Sequence, residues 1–380
     1  MNNFIFQNPT KLIFGKGQIA KLSELIPADA HLMVIYGGGS VKQNGVYNEI
    51  ISALKGHNYI EFWGIEPNPQ VETLRKAIAK GKEKQIDYLL AVGGGSVLDG
   101  TKLIAAGIAM ETEAWDIVLK GYANRQIPYA SVLTVPATGS EMNGGSVISR
   151  AETTEKLVFY GDYPQFSILD PEVCYTLSEY QVACGLSDAF THVLEQYVTT
   201  CGQSRLMDRW AEGILQSIVE IAPLIKKEPK NYDLMADYML AATLALNDFI
   251  RMGITQDWAT HLIGHELTAL RGITHGHSLA IIMPATMSVL RGQKHDKLLQ
   301  YGERIFGITE GTENERVQKT IETTEAFYRS LGLTTRLSEE GIGDETIEAI
   351  AKRFNERGAA YGERGNVTGD VAREILRMAK

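Results

Sequence analysis

Two copies of the tetrapeptide Gly-Gly-Gly-Ser lie in the first hundred residues, each between an apolar run and a helical pattern. The first copy (37–40) follows the apolar run 31–36, and the second (93–96) follows 88–92. Glycine at a strand-to-helix turn lets the backbone approach a phosphate, and the helix N-terminus offers free N–H groups and the positive dipole end. The alternative is a tight turn that needs positive φ. Two such turns in one parallel sheet favour a dinucleotide site.

Strands alternate with helices through the first half, which predicts parallel βαβ units in a doubly wound sheet. Short strands near 147–149 and 157–159 predict a hairpin, and 167–169 predicts a return to the sheet. From residue 178 the pattern is helical. We therefore predict an α/β domain with a parallel sheet in 1–177 and an all-α domain in 178–380. The other predicted strands are 12–15, 59–63 and 131–135. A helix that ends near residue 56 is predicted after the first glycine loop, and the other predicted helices are 18–26, 70–84, 97–110, 178–200, 205–226, 231–252, 255–269, 275–290, 313–331, 344–357 and 370–380.

The bulk properties exclude several function classes. A net charge of −9 and a pI near 5.5 argue against a nucleic-acid or anionic-membrane binder. The N-terminus lacks the pattern of a signal peptide, and no apolar run approaches the ~20 residues that span a bilayer. Cys174, Cys184 and Cys201 lack Cys-x-x-Cys spacing, which argues against a zinc knuckle and a disulfide framework. We expect reduced thiols in a cytoplasmic protein.

Five of the eight histidines lie between residues 187 and 277. Asp188 and His192 are four apart, as are His261 and His265, so each pair shares one helix face. We predict that Asp188, His192, His261 and His275 bind one divalent ion. Three imidazoles and one carboxylate suit Zn²⁺ or Fe²⁺, whereas Ca²⁺ and Mg²⁺ prefer oxygen ligands. The alternative is a set of core histidines paired by chance.

Two more histidines of this stretch, His265 and His277, are not assigned to the ligand set. His265 would face the same cavity one turn after His261, and we assign it to orientation or proton relay. His277 is expected at the surface or behind the ligands.

A third loop, 136–141, reads Pro-Ala-Thr-Gly-Ser-Glu after the strand at 131–135. Asp99 and Lys102 begin the helix after the second glycine loop. Asp99 would accept a hydrogen bond from the cofactor carboxamide or order the loop, and Lys102 would do similar orienting work. The alternative is a solvated ion pair of little energetic value.

These motifs together resemble the iron-containing alcohol dehydrogenase family over essentially the whole length. The motifs are Gly-Gly-Gly-Ser-Val-Leu-Asp at 93–99, the third loop, Asp-Ala-Phe-Thr-His at 188–192, and His261 and His265 followed by His275. Gly-Ile-Glu-Pro-Asn-Pro at 64–69 and Gln-Asp-Trp-Ala-Thr-His at 256–261 resemble its NADPH-dependent aldehyde reductase and butanol dehydrogenase branch. One departure is Ala137, where the family usually has threonine.

The resemblance implies an N-terminal dinucleotide-binding domain, a C-terminal helical metal domain and catalysis in the cleft between them. It supports the metal ligands named above and sets His265 beside the nicotinamide. Family members commonly form homodimers, so a homodimer is expected. The cofactor-binding candidates are Gly37, Gly38, Gly39, Ser40, Asn68, Pro69, Gly94, Gly95, Ser96, Asp99, Thr138 and Ser140.

We therefore predict a metal-dependent aldehyde reductase that transfers hydride between NADP(H) and short- to medium-chain aldehydes. In the family that the chain resembles, NAD-preferring members carry an aspartate in or near the first glycine loop. Here the loop at 37–40 carries no carboxylate to grip a ribose 2′-OH, and Lys42 adds positive charge, so the resemblance implies a preference for NADPH over NADH. Phe190, Trp258, Leu262 and Leu267 flank the metal motifs and predict an apolar substrate pocket.

Two other functions remain open from the sequence. A dehydroquinate synthase-like or polyol-phosphate enzyme would need cations near the metal, for which Arg251 and Arg271 are the candidates. A non-catalytic metal-stabilised binding protein is the other alternative, and it leaves three cofactor-type loops without a use.

Overall fold

The computed structural model describes residues 1–200 and 202–380, so Cys201 lies outside the described residues. Six parallel strands form one sheet in the order β1-β8-β5-β4-β2-β3. The inner strands β2 and β4 are buried on both faces almost throughout, as expected for parallel strands that read as continuous apolar runs. The parallel sheet predicted from the sequence is confirmed. Its strands are β1 (Lys11–Phe14), β2 (Leu32–Tyr36), β3 (Tyr59–Phe62), β4 (Tyr88–Gly94), β5 (Tyr129–Val135) and β8 (Phe166–Leu169).

The strand order places the glycine loops at the point where the sheet reverses direction. The chain runs outward from β2 to β3 and then returns across β2 to β4. Open parallel sheets bind ligands outside the carboxyl ends of the strands at such a switch point. The loops at 37–40 and 93–96 leave β2 and β4, which are neighbours, and the loop at 136–141 leaves β5 beside β4.

The predicted hairpin forms a separate sheet. Strands β6 (Gly145–Arg150) and β7 (Glu155–Tyr160) pair antiparallel over their full length. The chain then returns to the main sheet as β8, between β1 and β5.

Most helices lie where the periodicity predicts them. Two helices, α5 and α11, were not predicted, and α8 ends earlier than residue 252. The helices are α1 (Leu22–Leu25), α2 (Val46–Ala53), α3 (Val71–Glu83), α4 (Gly95–Ala109), α5 (Ala114–Lys120), α6 (Glu179–Tyr197), α7 (Arg205–Lys227), α8 (Tyr232–Ala245), α9 (Ala259–Arg271), α10 (His275–Val289), α11 (His295–Phe306), α12 (Glu313–Ser330), α13 (Asp344–Glu356) and α14 (Gly369–Met378).

The stretch after the first glycine loop differs from the single helix predicted there. A short 3₁₀ turn, Ser40–Lys42, comes first, and α2 begins only at Val46. Gly45 separates them with φ 87°, a left-handed conformation that an α-helix cannot contain.

The described residues form two compact units, which we call the sheet unit (7–177 and 229–243) and the helical unit (1–6, 178–228 and 244–380). The sequence predicted one boundary after residue 177. It did not predict that residues 229–243 belong to the sheet unit and residues 1–6 to the helical unit. Residues 229–243 join the sheet unit because Tyr238 donates to the Pro136 carbonyl (2.5 Å) and Thr243 to the Glu141 carboxylate (2.5 Å). Residues 1–6 join the helical unit, where the Asn2 N–H donates to the Gly253 carbonyl (2.8 Å).

The helical unit has its core around α9, α10, α13 and α14. On α9 the residues Ala259, Ile263 and Leu267 are fully buried in that core and lie one turn apart. His261 and His265 lie on another face of the same helix. None of the described helices has the length and apolarity to cross a membrane. Cys174 and Cys184 are buried and unpaired in disulfides.

Candidate metal and cofactor site

Helix α6 presents three acidic or imidazole side chains on one face. A capping box of Ser178 and Gln181 sets its first turn. Asp188, His192 and Glu195 then follow at positions i, i+4 and i+7, which place them one above the other. All three are at least 97% buried.

Helix α9 enters the site through a sharp turn. Trp258 adopts φ 66°, and the Asp257 carboxylate accepts the N–H of Ala259 (3.0 Å). The Glu195 carboxylate accepts the N–H groups of Thr260 (2.7 Å) and His261 (3.2 Å). The first turn of α9 is thereby attached to α6, and His261 is brought beside Asp188.

Helix α10 begins with His275 and approaches α6 closely. The next residue, Gly276, has no room for a side chain, because an added Cβ would overlap the backbone carbonyl of Cys184. The Ser187 hydroxyl donates to the Gly276 carbonyl (2.6 Å). Glycine at this position therefore lets His275 reach Asp188.

The four predicted ligands converge on one carboxylate oxygen. The Nε2 atoms of the three histidines lie 3.4 Å (His192), 3.7 Å (His261) and 3.8 Å (His275) from Asp188 Oδ1. Asp188, His261 and His275 offer ligand atoms within 4.8 Å of one another, whereas His192 falls outside that tighter group. The His192 and His261 rings stack with centroids 4.6 Å apart.

The donor set fits a divalent metal ion. Metal–ligand bonds of about 2.0–2.1 Å in tetrahedral geometry separate neighbouring donors by about 3.3 Å, close to the spacings seen here. His261 Nε2 is buried and has no hydrogen-bond partner among the described residues. A buried, unpaired nitrogen aimed at a carboxylate is costly unless an ion lies between them.

The electrostatics of the site favour a cation at its centre. Burial lowers the pKa of His192 to about 4, despite the nearby Asp188 carboxylate, so this imidazole is neutral at pH 7. Burial also opposes charge on His261, but Glu195 and Asp188 overcome it and raise its pKa to about 9. The His261 ring, whose Nδ1 faces Glu195 and whose Nε2 faces Asp188, therefore lies where positive charge is favoured.

The other two histidines differ in their surroundings. His265 is partly exposed, and its ring centroid lies 4.9 Å from that of His275 and 6.4 Å from that of His261. His277 is buried, with Nδ1 at 3.1 Å from the Tyr180 hydroxyl and Nε2 at 2.6 Å from that of Thr334. The surface option for His277 is therefore wrong.

The second glycine loop in the sheet unit is supported from below by a buried network. Asp99 accepts from the Ser140 hydroxyl (2.6 Å) and the Val147 N–H (2.8 Å). Burial raises the pKa of Asp99, and Lys102 and these hydrogen bonds oppose that rise. Lys102 is fully buried and donates to Ser140 (2.8 Å). The network thus ties the second loop to the third, so a solvated ion pair is wrong.

Asn68 and Pro69 lie beside the same loop. Asn68 adopts φ 57°, and its N–H donates to the Ser96 hydroxyl (3.2 Å). The carbonyl of Pro69 accepts the N–H of Ser149 (2.9 Å). Lys156 on β7, which the sequence analysis did not single out, is buried and donates to Asn68 Oδ1 (2.8 Å).

The first glycine loop is open by comparison. Gly38 and Ser40 are exposed, and Gly39 has φ 105°. The Lys42 ammonium lies 4.1 Å from the ring centroid of Trp63, which itself stacks on Tyr36. This contact holds a positive charge close to the loop.

The family description "iron-containing alcohol dehydrogenase" matches residues 9–171, and its C-terminal counterpart matches residues 181–379. This chain belongs to the iron-containing alcohol dehydrogenase family. It is accordingly an oxidoreductase, and the resemblance inferred from the motifs is confirmed.

Similar members of this alcohol dehydrogenase family cover the chain from end to end. The NADPH-dependent aldehyde reductase YqhD of Escherichia coli is 48% identical over 100% of both chains. A probable NADH-dependent butanol dehydrogenase of Bacillus subtilis is 39% identical, again over 100% of both. A crystal structure of E. coli YqhD has a TM-score of 0.98 and covers 100% of this chain and 99% of that one.

The apolar pocket expected in this alcohol dehydrogenase needs correction. Phe190 is fully buried and packs on Phe327 with centroids 4.5 Å apart, and Leu267 lies in the core. Leu262 packs against that core. Of the four predicted residues, Trp258 is the one whose ring lies against the ligands, 5.1 Å from His261 and 6.1 Å from His192.

The cations proposed for a phosphorylated substrate are engaged or distant in this alcohol dehydrogenase. Arg251 pairs with Asp248 (2.8 Å). Arg271 is exposed at the last residue of α9, ten residues and thus ~15 Å along the helix from His261.

A cavity of about 420 Å³ lies away from the glycine loops, since Pro128 and Tyr129 line it at the amino end of β5.

Proposed function

We propose that this enzyme reduces short- to medium-chain aldehydes with NADPH at a divalent ion held by Asp188, His192, His261 and His275. The observation that carries the proposal is the convergence of three imidazole Nε2 atoms within 3.8 Å of Asp188 Oδ1. The E. coli relative, by its name, reduces aldehydes with NADPH, and the B. subtilis relative is named a butanol dehydrogenase. Aldehyde reduction and alcohol oxidation are the two directions of one reaction.

When bound, the metal would polarise a carbonyl as a Lewis acid, and reduced nicotinamide would supply the hydride. Asp188 contributes the negative charge of the ligand set, and the histidines contribute neutral donors. The His275 side chain is 19% exposed, against 8% or less for the other three, so substrate oxygen would approach from its side. The nearby ring of His265 supports its assignment as a relay that delivers a proton to that oxygen.

The proposal assigns the cofactor to the three loops of the sheet unit. The N-terminus of α4 at Gly95 suits a pyrophosphate. The loop at 37–40 would receive the ribose 2′-phosphate, supported by its lack of a carboxylate and by Lys42 on Trp63. The B. subtilis relative carries NADH in its name, so the cofactor preference requires direct measurement.

The metal, assembly and location are further parts of the proposal. Fe²⁺ and Zn²⁺ both suit the ligands, and Zn²⁺ binds more tightly when the two are equally available. A homodimer is proposed, with support from the exposed apolar side chains of Leu119, Tyr122 and Tyr160. The unpaired thiols of Cys174 and Cys184 support a cytoplasmic location.

The decisive experiment removes one ligand. His261→Ala should lose bound metal and nearly all NADPH-dependent reduction of butanal, while circular dichroism shows a folded protein. His277→Gln is the matched control, because it changes a buried histidine that lies outside the ligand set. A His261→Ala protein that is free of metal and fully active would overturn the proposal.

Substrate scope tests the finer part of the proposal. One methylene changes binding in an apolar pocket by only ~1–3 kcal/mol, so kcat/KM for propanal and butanal, which differ by one methylene, should lie within about two decades. A strict preference for one charged aldehyde would contradict an uncharged pocket beside Trp258.

A further inference from the structure

Glu195 stands directly behind the candidate ligands, and its contacts converge on the start of α9. Its carboxylate is 98% buried. Oε1 accepts the N–H of Thr260 (2.7 Å), and Oε2 accepts the N–H of His261 (3.2 Å). Oε2 also makes a short hydrogen bond with Nδ1 of the His261 ring.

The electrostatic setting of Glu195 calls for a positive partner. Among the described residues, its ion-pair partner is His261, and neither lysine nor arginine pairs with it. A carboxylate buried without a cation is costly. An imidazole that coordinates a metal through Nε2 is polarised and donates strongly from Nδ1, which satisfies such a carboxylate.

We propose that Glu195 is a positioning residue of the metal centre, which accepts the Nδ1–H of His261 and thereby fixes Nε2 as the metal donor. With Nδ1 protonated, Nε2 keeps its lone pair and faces Asp188 Oδ1 at 3.7 Å. The same carboxylate holds the backbone of His261, so both the tautomer and the position of this ligand depend on one side chain. The inference rests on the metal site of the proposed function.

A purely structural role is the competing explanation, since Glu195 also caps helix α9. The chain offers a residue that separates the two roles. Asp257 caps the same helix through the N–H of Ala259 and does so without contacting the His261 ring. It is also buried in an ion pair with Lys294 (2.8 Å), so its loss should destabilise the same segment.

The experiment compares Glu195→Ala, Glu195→Gln and Asp257→Ala, which removes the cap on Ala259, in the full-length protein. Zn²⁺ affinity is measured by chelator competition, the ligand field by the visible spectrum of the Co²⁺-loaded protein, and stability by urea unfolding of the metal-free protein. Loss of a hydrogen-bond partner behind a metal ligand typically weakens metal affinity ~10–100-fold, which is expected for Glu195→Ala with a shifted Co²⁺ spectrum. Glu195→Gln should weaken it less, because the amide oxygen still accepts Nδ1–H.

Asp257→Ala should lower the urea midpoint while keeping Zn²⁺ affinity and the Co²⁺ spectrum as in the wild-type protein. The proposal is overturned if Glu195→Ala keeps the wild-type affinity and spectrum, or if Asp257→Ala weakens Zn²⁺ binding as much. If Glu195→Ala does not fold, Glu195→Gln decides: unchanged Zn²⁺ affinity and an unchanged Co²⁺ spectrum overturn the proposal. His261→Ala distinguishes the two proposals. If this variant still binds Zn²⁺, the metal site of the proposed function is wrong. If it loses Zn²⁺ while both Glu195 variants bind Zn²⁺ fully, only the role proposed for Glu195 is wrong.

Discussion

The two Gly-Gly-Gly-Ser loops have the same sequence and leave neighbouring strands, yet they need glycine for different reasons. In the first loop the reason is backbone conformation. Gly39 has φ 105°, where L side chains are strained, and a Cβ added at Gly38 or Gly39 would meet nothing within 4 Å. That loop is exposed and has room for a ligand group.

In the second loop the reason is space. None of its three glycines is among the described residues with positive φ. A Cβ at Gly93 would lie 2.5 Å from Val97, one at Gly94 would lie 2.9 Å from Val135, and one at Gly95 would lie 2.6 Å from Thr138.

The two glycine loops should therefore differ in the substitutions that they tolerate. The second loop is fixed by packing before any ligand arrives, which suits a group that every dinucleotide shares, such as the pyrophosphate. The first loop is held by few contacts, so substitutions there should alter which cofactor binds and leave the fold intact.

The largest effect on stability is expected from a substitution in the buried network that supports the second loop. Lys102→Met removes the charge opposite the buried Asp99 and the bond to Ser140. Leaving a buried carboxylate without an opposing cation costs ~3–5 kcal/mol, and urea unfolding should show a loss of this size.

Two further variants make this test specific. Lys84→Met removes an exposed lysine and should change stability by no more than ~0.5 kcal/mol. Asp99→Asn added to Lys102→Met should recover part of the loss, because no buried charge is then left alone. A double variant that is equally stable or less stable than Lys102→Met alone would contradict this expected recovery.

The next effect is expected at Gly95. Gly95→Ala forces its methyl group against Thr138, and overpacking of this kind costs ~1–3 kcal/mol. NADPH affinity, measured by fluorescence titration, should fall as the loop shifts. Thr138→Ala in the same chain should restore much of it by making room, whereas Gly38→Ala, the matched change in the open loop, should alter stability little. Additive effects of Gly95→Ala and Thr138→Ala would contradict the steric explanation.

The sequence could not distinguish the two loops, because two of the three side chains that crowd the second come from distant positions. Val135 and Thr138 lie some forty residues further along the chain, on β5 and the loop after it. The alternative for Asp99 and Lys102, a solvated ion pair, was wrong for a related reason. The spacing of Lys102 from Asp99 suits a surface ion pair, but α4 is buried over most of its length, and this fact depends on the packing of the sheet unit.

The metal motifs were more predictable within a helix than between helices. Asp188 and His192 are four residues apart on α6, so their shared face follows from spacing. His261 and His275 come from α9 and α10, and their approach to Asp188 depends on how these helices pack. Glu195 was missed although its spacing of seven from Asp188 places it on the same face. Phe190 was wrong as a pocket residue because a position two residues from Asp188 lies across the helix from it. Nearness in sequence does not give a shared face.

A carboxylate introduced into the first loop tests whether this open loop determines the choice of cofactor. Gly38→Asp adds a carboxylate where φ is unstrained and space is free, so repulsion of a 2′-phosphate should weaken NADPH about tenfold at low salt. NADH, which lacks that phosphate, should be little affected. Steady-state KM values for both cofactors at two salt concentrations provide the measurement.

Gly39→Asp is a less direct version of that test, because it adds backbone strain to the same charge. Gly39→Ala measures the strain alone, with an expected loss of ~1–2 kcal/mol in stability. If Gly38→Asp leaves the KM for NADPH unchanged, or if the wild-type enzyme uses NADH as well as NADPH, the first loop does not recognise the 2′-phosphate.

The smallest effect is expected at Lys42, whose ammonium rests on Trp63 at the edge of the first loop. An exposed cation–π contact contributes only ~0.5–1 kcal/mol, so Lys42→Met should leave stability nearly unchanged. Its positive charge near a phosphate has a similar value, and NADPH affinity should fall a few-fold while NADH affinity stays constant. Trp63→Leu frees the ammonium without removing it, so it should weaken NADPH less than Lys42→Met does. An equal loss for both cofactors in Lys42→Met would show that the lysine supports the loop and does not distinguish the cofactors.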